Sequence, residues 1–254
     1  MPELPLVLLH AFPVDSRMWN AVRAPLAAQI RVITPDQRGL GRSPMPEPQP
    51  EADREPSLDD AARDVIALLD KLELDQVVLG GCSMGGYLTQ AVLCAAPERI
   101  GGLVFIDTKA TADAPEAAQA RLDQAARVEA EGTAGWLADY VMPLMFADGT
   151  LAERADLVSS TRELIEAQPA AGIAWAARAM AARPDSLDLL RETAVPTLVL
   201  VGEHDKATPV DQAKLIAEAA PNSTLEVLPD SGHLTPLEVP DLVSRAILDW
   251  YPRG

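Results

Sequence analysis

Residues 76–95 of the chain read QVVLGGCSMGGYLTQAVLCA. An apolar strand is predicted over Gln76–Gly80, and it runs through a glycine-rich turn into a helical stretch, Tyr87–Ala95. The segment Gly81–Gly85 has the form Gly-x-Ser-x-Gly, in the strand–turn–helix setting that this motif requires. We therefore predict a strained turn in which Ser83 has a positive φ and projects its hydroxyl clear of the backbone.

The residues around this serine support its interpretation as a nucleophile. So tight a turn leaves no room for side chains two residues to either side, which explains Gly81 and Gly85. The helix that follows directs its N-terminal N–H groups toward charge developing at Ser83. An idle serine in a strand-to-helix turn is the alternative. A phosphate-binding turn is disfavoured, because the chain has no Gly-x-Gly-x-x-Gly or Walker pattern.

Strand candidates on either side of this segment predict an α/β fold. They are nearly continuous apolar runs, as expected of strands covered on both faces, and helical stretches separate most of them. This alternation predicts a mostly parallel central sheet with helices on both faces, and a site at the carboxyl ends of its strands. The candidates are Leu6–His10, Arg31–Pro35, Gln76–Gly80, Leu103–Asp107, Thr197–Val201 and Thr224–Leu228.

One interval breaks the alternation. Between about residues 110 and 190 the chain is rich in alanine, has no convincing strand, and shows helical periodicity that is interrupted at Pro143, Gly149, Pro169 and Pro184. We interpret residues 111–189 as a helical insertion at the sheet edge. Residues 1–110 and 190–254 then form the core domain.

A base and an acid for Ser83 follow two later strands. His233 lies in a turn after Thr224–Leu228, and Asp205 lies directly after Thr197–Val201. Serine needs a base to take its proton, and the imidazole needs a carboxylate to hold its tautomer. The order Ser83, Asp205, His233 is the one expected on this type of sheet. Glu203 and Asp107 remain alternative acids, and His204 is interpreted as a loop residue.

Backbone donors for a developing oxyanion are expected on two loops. The N–H of Met84, the residue after the nucleophile, is one. The loop after the first strand, His10-Ala11-Phe12-Pro13, should supply the other, and we assign it to the N–H of Phe12. His10 is then expected to brace this loop by hydrogen bonds.

The insertion supplies most candidates for contact with substrate. Ordinary core packing explains such side chains equally well. The candidate substrate-binding residues are His10, Trp136, Met142, Met145, Phe146 and Trp175. The insertion's basic residues, any of which could be solvated, are Arg121, Arg127, Arg154, Arg162, Arg178 and Arg183. We therefore expect small to medium, largely apolar substrates.

Composition excludes several classes of protein. The 254 residues carry a formal net charge of −17, which argues against a nucleic-acid surface. The start of the chain lacks a basic n-region, and no run approaches the roughly 20 apolar residues of a membrane span, so we expect a cytoplasmic protein. Cys82 and Cys94 lie about three helical turns apart and could not form a disulfide. No metal site and no cofactor are expected.

Five segments in order resemble the α/β-hydrolase superfamily. They are His10–Pro13, Asp36–Ser43 (Asp-Gln-Arg-Gly-Leu-Gly-Arg-Ser), Gly81–Gly86, Gly202–Asp205 and Ser231–His233. The resemblance implies the α/β-hydrolase fold, with the helical insertion as a cap over the pocket. Ser-Met-Gly-Gly and Ala-Phe-Pro look like the 3-oxoadipate enol-lactonase and cofactor-free haloperoxidase (perhydrolase) groups. Many members have Gly where Ala11 stands.

The leading functional hypothesis is a serine hydrolase that cleaves small-molecule carboxylic esters or lactones through an acyl-enzyme. The same residues could instead support perhydrolysis, acyl transfer or cleavage of a carbon–carbon bond. An alternative from outside the enzymes is a ligand-binding or signalling protein that retains Ser83, Asp205 and His233. The superfamily's antiparallel hairpin has no room before Leu6, so a partner chain could cover that sheet edge, and a homodimer is left open beside a monomer.

Overall fold

A six-stranded sheet organises the molecule. The structure, a computed structural model, describes residues 4–46 and 55–251. The strands are β1 (Leu6–Leu9), β2 (Val32–Ile33), β3 (Val77–Cys82), β4 (Ile100–Ile106), β5 (Thr197–Gly202) and β6 (Ser223–Leu228). Their order is β2-β1-β3-β4-β5-β6, and every neighbouring pair is parallel. The predicted parallel central sheet is confirmed.

Helices cover both faces of this sheet, as the apolar strands require. The helices are α1 (Asn20–Ala27), α2 (Leu58–Lys71), α3 (Met84–Ala95), α4 (Pro115–Glu131), α5 (Leu137–Met145), α6 (Asp148–Glu153), α7 (Ala155–Glu166), α8 (Ala170–Ala181), α9 (Leu187–Glu192), α10 (Val210–Ala219), α11 (Thr235–Glu238) and α12 (Pro240–Trp250). Val7 and Leu9 face a core shared with α2, α3, α9 and α10, whereas Leu6 and Leu8 face α1, α12 and part of the insertion.

The central helix α3 begins at Met84, three residues before the stretch expected from sequence. Periodicity does not reveal this first turn, because Gly85 and Gly86 carry no side chain. Helix α2 is preceded by a serine N-cap: the Ser57 Oγ accepts from the Asp59 N–H at 3.2 Å.

Helices α4–α8 lie between β4 and β5 and supply the insertion, and residues 55–251 contain no strand in this interval. A close backbone contact holds it against the core: a Cβ on Gly172 would lie 1.8 Å from the Gly39 carbonyl oxygen. The Gln168 side chain accepts from the Gly41 N–H at 2.8 Å and donates to Asp15 Oδ2 at 2.8 Å. The insertion thus contacts the loop after β1 and the loop after β2. The expected boundary between residues 189 and 190 falls inside α9.

In the described residues β1 is the first strand, and β2 forms one edge of the sheet with Val32 and Ile33 half-buried. The same ranges hold no helix long and apolar enough to cross a membrane. Both cysteines are free thiols; Cys82 is buried at the end of β3 and Cys94 is exposed on α3.

Candidate active site

The turn between β3 and α3 places Ser83 at the carboxyl edge of the sheet. Its backbone has φ 53° and ψ −113°, the strained positive-φ geometry expected from the motif. Two contacts hold it there. The Ser83 N–H donates to the Ile106 carbonyl at 3.0 Å, and the Thr108 hydroxyl donates to the Ser83 carbonyl at 2.8 Å. Residues at the end of β4 therefore fix this turn.

Two glycines are required here by close backbone approach. A Cβ on Gly81 would lie 2.1 Å from the Gly85 carbonyl oxygen, and a Cβ on Gly85 would lie 2.1 Å from the Leu9 carbonyl oxygen. Gly85 thus lets α3 start directly against the end of β1. The loop after β1 is consequently brought beside Ser83.

His233 and Asp205 meet Ser83 from loops that follow β6 and β5. The His233 Nε2 lies 2.8 Å from the Ser83 Oγ, and its Nδ1 lies 3.0 and 2.9 Å from the two Asp205 carboxylate oxygens. All three side chains are buried. The structure therefore brings together the three residues that the sequence singles out, in the arrangement of a nucleophile, a base and an orienting acid.

The Asp205 carboxylate is itself held in place. Its Oδ1 accepts from the N–H groups of Ala207 (2.9 Å) and Thr208 (2.8 Å), and its Oδ2 accepts from the Thr208 hydroxyl at 2.8 Å. The imidazole is thus presented with an acceptor of fixed orientation. This arrangement favours the tautomer of His233 that carries hydrogen on Nδ1 and leaves Nε2 free to accept from Ser83.

Two opposing effects act on the pKa of His233. Burial is the larger single effect and lowers the pKa, but the Asp205 carboxylate raises it through its charge and its hydrogen bond, and Asp107 adds to the rise. The outcome is a pKa above the ordinary histidine value. The charged form of His233 is therefore favoured relative to a free imidazole, a property that a general base requires.

The alternative acids occupy other positions. Glu203 is half exposed, and its Oε2 accepts from the Asp230 N–H at 3.3 Å. Asp107 is fully buried and accepts from the Gly202 N–H and from the N–H and hydroxyl of Thr235. Burial, followed by the charge of Asp205, raises the pKa of Asp107 well above its usual range. Asp107 thus ties the end of β5 to the loop that bears His233, and the described residues show no hydrogen bond between Asp107 and the imidazole.

The two expected oxyanion donors flank Ser83. Phe12 shares a cavity wall with Ser83 and His233, and Met84 begins the helix behind the nucleophile. Neither backbone N–H donates to another group among residues 4–46 and 55–251. Both N–H groups thus lack a protein acceptor within those ranges, which is a requirement for an oxyanion donor.

His10 has both ring nitrogens engaged away from the cavity. Its Nδ1 lies 3.0 Å from the Ala11 carbonyl, and its Nε2 accepts from the Gln37 N–H at 2.9 Å. Burial lowers its pKa, which favours the neutral ring that these contacts need. His10 therefore braces the loop after β1, as expected, and has no free polar atom for a substrate.

A cavity of about 310 Å³ opens onto Ser83 and His233 beneath the insertion. Of the six expected substrate contacts, only Met145 lines it. Met142 and Phe146 are buried in the core, Trp136 donates to the Gly132 carbonyl, and Trp175 lies near the guanidinium of Arg38. The expectation is therefore revised for His10, Trp136, Met142, Phe146 and Trp175. The apolar part of the wall comes instead from Phe12, Ala117, Ala120, Tyr140, Val141, Leu144 and Met180.

The cavity also has a charged side that sequence reasoning missed. Lys109, Asp113, Arg121 and Lys206 line it together with Gln124 and Tyr87. The wall is therefore more polar than the apolar insertion suggested. Arg121 was one of six insertion arginines with nothing to single it out, and both lysines lie outside the predicted insertion. Only the three-dimensional arrangement brings these groups together.

The described residues contain one cluster with the side-chain types of a metal site. Ligand atoms of Glu203, His204 and Asp230 lie within 4.8 Å of one another, and all three residues are exposed. Exposed acidic groups are commonly close together without an ion. The cluster takes no part in the geometry around Ser83.

A model of the alpha/beta hydrolase fold family matches residues 5–240. The chain therefore belongs to that family, and its sheet and its strand–turn–helix serine are features of a family member rather than an isolated motif.

Individual relatives extend this likeness. The chain is 28% identical over 242 residues to 3-oxoadipate enol-lactonase 2 of Acinetobacter baylyi, covering 95% of this chain and 86% of that protein. It superposes on a thermophilic esterase from Thermogutta terrifontis with a TM-score of 0.91 at 39% identity, covering 97% of this chain and 89% of the other. It superposes on the enol-lactonase of Burkholderia xenovorans with a TM-score of 0.86 at 27% identity, covering 98% of this chain and 92% of the other. Other relatives carry haloperoxidase names, so the resemblance to both groups is confirmed.

Proposed function

We propose that this protein is a serine hydrolase that cleaves carboxylic esters or lactones through an acyl-enzyme intermediate. The observation that carries the proposal is the relay from the Ser83 Oγ through His233 to Asp205, with 2.8 Å between Oγ and Nε2. Similarity to an esterase and to enol-lactonases supports this class of reaction.

In the first half of the reaction Ser83 is the nucleophile. Its Oγ attacks the carbonyl carbon of the ester while its proton passes to His233 Nε2, and the carbonyl oxygen becomes an oxyanion. The N–H groups of Phe12 and Met84 donate to that oxygen. The bond between the carbonyl carbon and the oxygen of the leaving alcohol then breaks, and the imidazolium gives its proton to that oxygen. The acyl group remains attached to Ser83.

Water completes the cycle. A water molecule gives a proton to His233 Nε2 as the water oxygen attacks the acyl carbon. The bond between the acyl carbon and the Ser83 Oγ then breaks, and the Ser83 Oγ takes the proton from His233. Asp205 holds the orientation of the imidazole and stabilises the imidazolium at both stages. The products are a carboxylic acid and an alcohol or, from a lactone, a single hydroxy acid.

The division of labour between domains is part of the same proposal. The core, residues 1–110 and 190–254, carries Ser83, Asp205 and His233, and the cap, residues 111–189, closes the cavity over them. Cavity walls from α4, α5 and α8 support this division. We also infer a cytoplasmic location and leave monomer and homodimer open.

Replacing the nucleophile tests the mechanism. Ser83→Ala should reduce kcat for 4-nitrophenyl acetate and butyrate by at least about 10⁴-fold, because it removes the oxygen that forms the acyl-enzyme. The matched control is Ser160→Ala, which removes an exposed hydroxyl on α7 whose one hydrogen bond within residues 4–46 and 55–251 is to the Leu157 carbonyl. A fluorophosphonate probe should label the wild type and the control but not Ser83→Ala. Ester cleavage that survives Ser83→Ala would overturn the proposal, and an unlabelled, inactive wild type would favour a binding protein.

A further inference from the structure

Three cationic side chains converge on one buried carboxylate beside Ser83. The Lys109 Nζ lies 2.8 Å from Asp113 Oδ1, the Arg121 Nε lies 2.7 Å from Oδ2, and Arg183 contacts both oxygens at 2.7 and 2.9 Å. The Asp113 side chain is 2% exposed. These neighbours hold the pKa of Asp113 below its usual range against the effect of burial, so the carboxylate is ionised. Three positive groups thus face one negative group.

The three cations differ in how many of their donors are used. Arg183 donates twice to Asp113 and also to the carbonyls of Met180 and Thr111, and its guanidinium stacks over the Tyr87 ring at 3.9 Å. Its side chain is 4% exposed and does not line the cavity. Arg183 is therefore the structural partner of Asp113.

Lys109 and Arg121 retain unused donors. Among residues 4–46 and 55–251, the ammonium group of Lys109 has Asp113 as its acceptor, and the Arg121 guanidinium has Asp113 and, at 3.5 Å, the weakly accepting sulfur of Met180. An ammonium has three donors and a guanidinium five. Both side chains line the cavity and are largely buried, 17% and 24% exposed. They present donors and surplus positive charge to whatever occupies it.

This local excess of positive charge runs against the whole chain. The protein carries a formal net charge of −17, yet the described residues that line the cavity include three cations, Lys109, Arg121 and Lys206, and one carboxylate, Asp113. Lys206 contacts Asp148, a carboxylate that is 86% exposed and screened by water. Opposite charges attract more strongly where water is excluded, so an anion entering this cavity gains more than it would at the surface.

We propose that the preferred substrate carries a free carboxylate in addition to its ester or lactone, and that Lys109 and Arg121 bind that carboxylate. This inference rests on the proposed hydrolase function and adds the chemical class of its substrate. A planar carboxylate matches the donor fork of Arg121, with Lys109 as a second donor. Val141, Leu144 and Met145 on the same wall suit the short aliphatic chain between the two groups.

A pair of substrates that differ only in charge tests this proposal. 4-Nitrophenyl hydrogen glutarate has a free carboxylate, and 4-nitrophenyl methyl glutarate has the same chain with that group esterified. After subtraction of spontaneous hydrolysis, kcat/KM should be at least about tenfold higher for the hydrogen glutarate, as expected for one charge-assisted contact. The preference should shrink as NaCl is raised from 0.02 to about 0.5 M, since salt screens the attraction.

Variants identify the residues responsible. Lys109→Met combined with Arg121→Leu should lower the ratio of the two kcat/KM values at least about tenfold, whereas Arg121→Lys, which keeps the charge, should retain most of the ratio. Arg178→Leu is the matched control, because it removes one positive charge from the cap at a residue that pairs with Glu129 and does not line the cavity. Its ratio should equal that of the wild type. If the double variant fails to fold, each single variant should still lower the ratio.

The outcomes separate this inference from the proposed function. Cleavage of the methyl glutarate that depends on Ser83, without preference for the hydrogen glutarate, would overturn the carboxylate site and leave the hydrolase intact. A preference that survives the double variant would overturn the assignment to Lys109 and Arg121. Cleavage of neither compound, with no fluorophosphonate labelling, would instead overturn the hydrolase.

Discussion

At the residue scale, the imidazole of His233 combines two roles that oppose each other energetically. It is buried, so its charged form loses hydration, and it contacts the Asp205 carboxylate, which favours that charged form. The net effect is a raised pKa. In the proposed mechanism only the neutral imidazole accepts the Ser83 proton, so we expect this shift to move the acid limit of activity toward neutral pH.

The pH dependence of catalysis should show this shift. We expect kcat/KM for a neutral aryl ester to rise with pH through an inflection above about 6.5, the ordinary histidine value. The same raised pKa stabilises the fold below that pH, and this contribution disappears as pH rises through the folded-state value. A rate profile from pH 5 to 9 measures the inflection. A wild-type inflection below about 6.5 would contradict the assigned balance of burial and charge.

Replacing the acid tests the orientation of the imidazole separately. Asp205→Asn should lower kcat about 10⁴-fold, because the amide no longer holds the tautomer of His233 that accepts from Ser83.

Residue identities near the reacting atoms were predictable because each has a local signal. Ser83 lies in a motif with a defined strand and helix, and Asp205 and His233 each follow a strand end, where parallel topology brings loops to one edge. The charged cavity wall has no such signal. Lys109 leaves the end of β4 and Arg121 lies on α4, and only the packing angle of α4 brings their side chains to one carboxylate. Trp136 shows the converse: an aromatic in the insertion stacks with Arg127 at 3.9 Å instead of lining the cavity.

At the scale of elements, the junction of β3 and α3 depends on backbone contacts rather than side chains. Gly85 lies where the start of α3 meets the carbonyl of Leu9, so no Cβ can be accommodated without moving β1 or α3. Such contacts explain why strand positions follow from apolar runs while their exact bounds do not. β2, for example, has only two paired residues, although five were expected from sequence.

Two glycine substitutions separate this contact from general helix propensity. Gly85→Ala should destabilise the protein by more than about 4 kcal/mol, in the range of severe core disruption, because its Cβ would lie 2.1 Å from a carbonyl oxygen. A Cβ at Gly149 on α6 would have no atom within 4 Å. Gly149→Ala should therefore raise the free energy of unfolding by up to about 1 kcal/mol, since alanine favours helix. Urea unfolding of both variants measures the difference. Equal effects on the free energy of unfolding would show that the contact at Gly85 is not decisive.

At the scale of the whole molecule, the dominant feature is the acidic balance of charge. Many acidic groups form surface ion pairs, such as Asp70 with Arg99 and Glu131 with Arg127, and each such pair contributes little to stability. The formal net charge of −17 remains, and the acidic groups repel one another throughout the folded chain. These charges lie farther apart in the unfolded chain, so their repulsion destabilises the folded state relative to the unfolded state.

Salt should therefore stabilise the fold. We expect Tm to rise by several degrees between about 0.01 and 0.5 M NaCl, because the Debye length falls from about 30 Å to a few ångströms. Differential scanning calorimetry at pH 7.5 measures this change, with sucrose at matched osmolality as a control for non-ionic effects. A Tm that falls with NaCl would mean that attractive ion pairs outweigh the net repulsion. Light scattering at each salt concentration would show whether the chain is a monomer or a dimer.

The carbonyl of Met145, at the end of α5, accepts from the N–H groups of both His233 (3.1 Å) and Leu234 (3.0 Å). The Glu238 carboxylate adds a second tie, accepting from Ala147 in the insertion and from Gly232 beside the base. The insertion is thus not a separable module, because its middle segment holds the loop that bears His233. A chimera that borrows another cap should keep residues 145–147 from this chain and exchange the helices on either side. A graft across that segment would alter substrate choice and the alignment of His233 together.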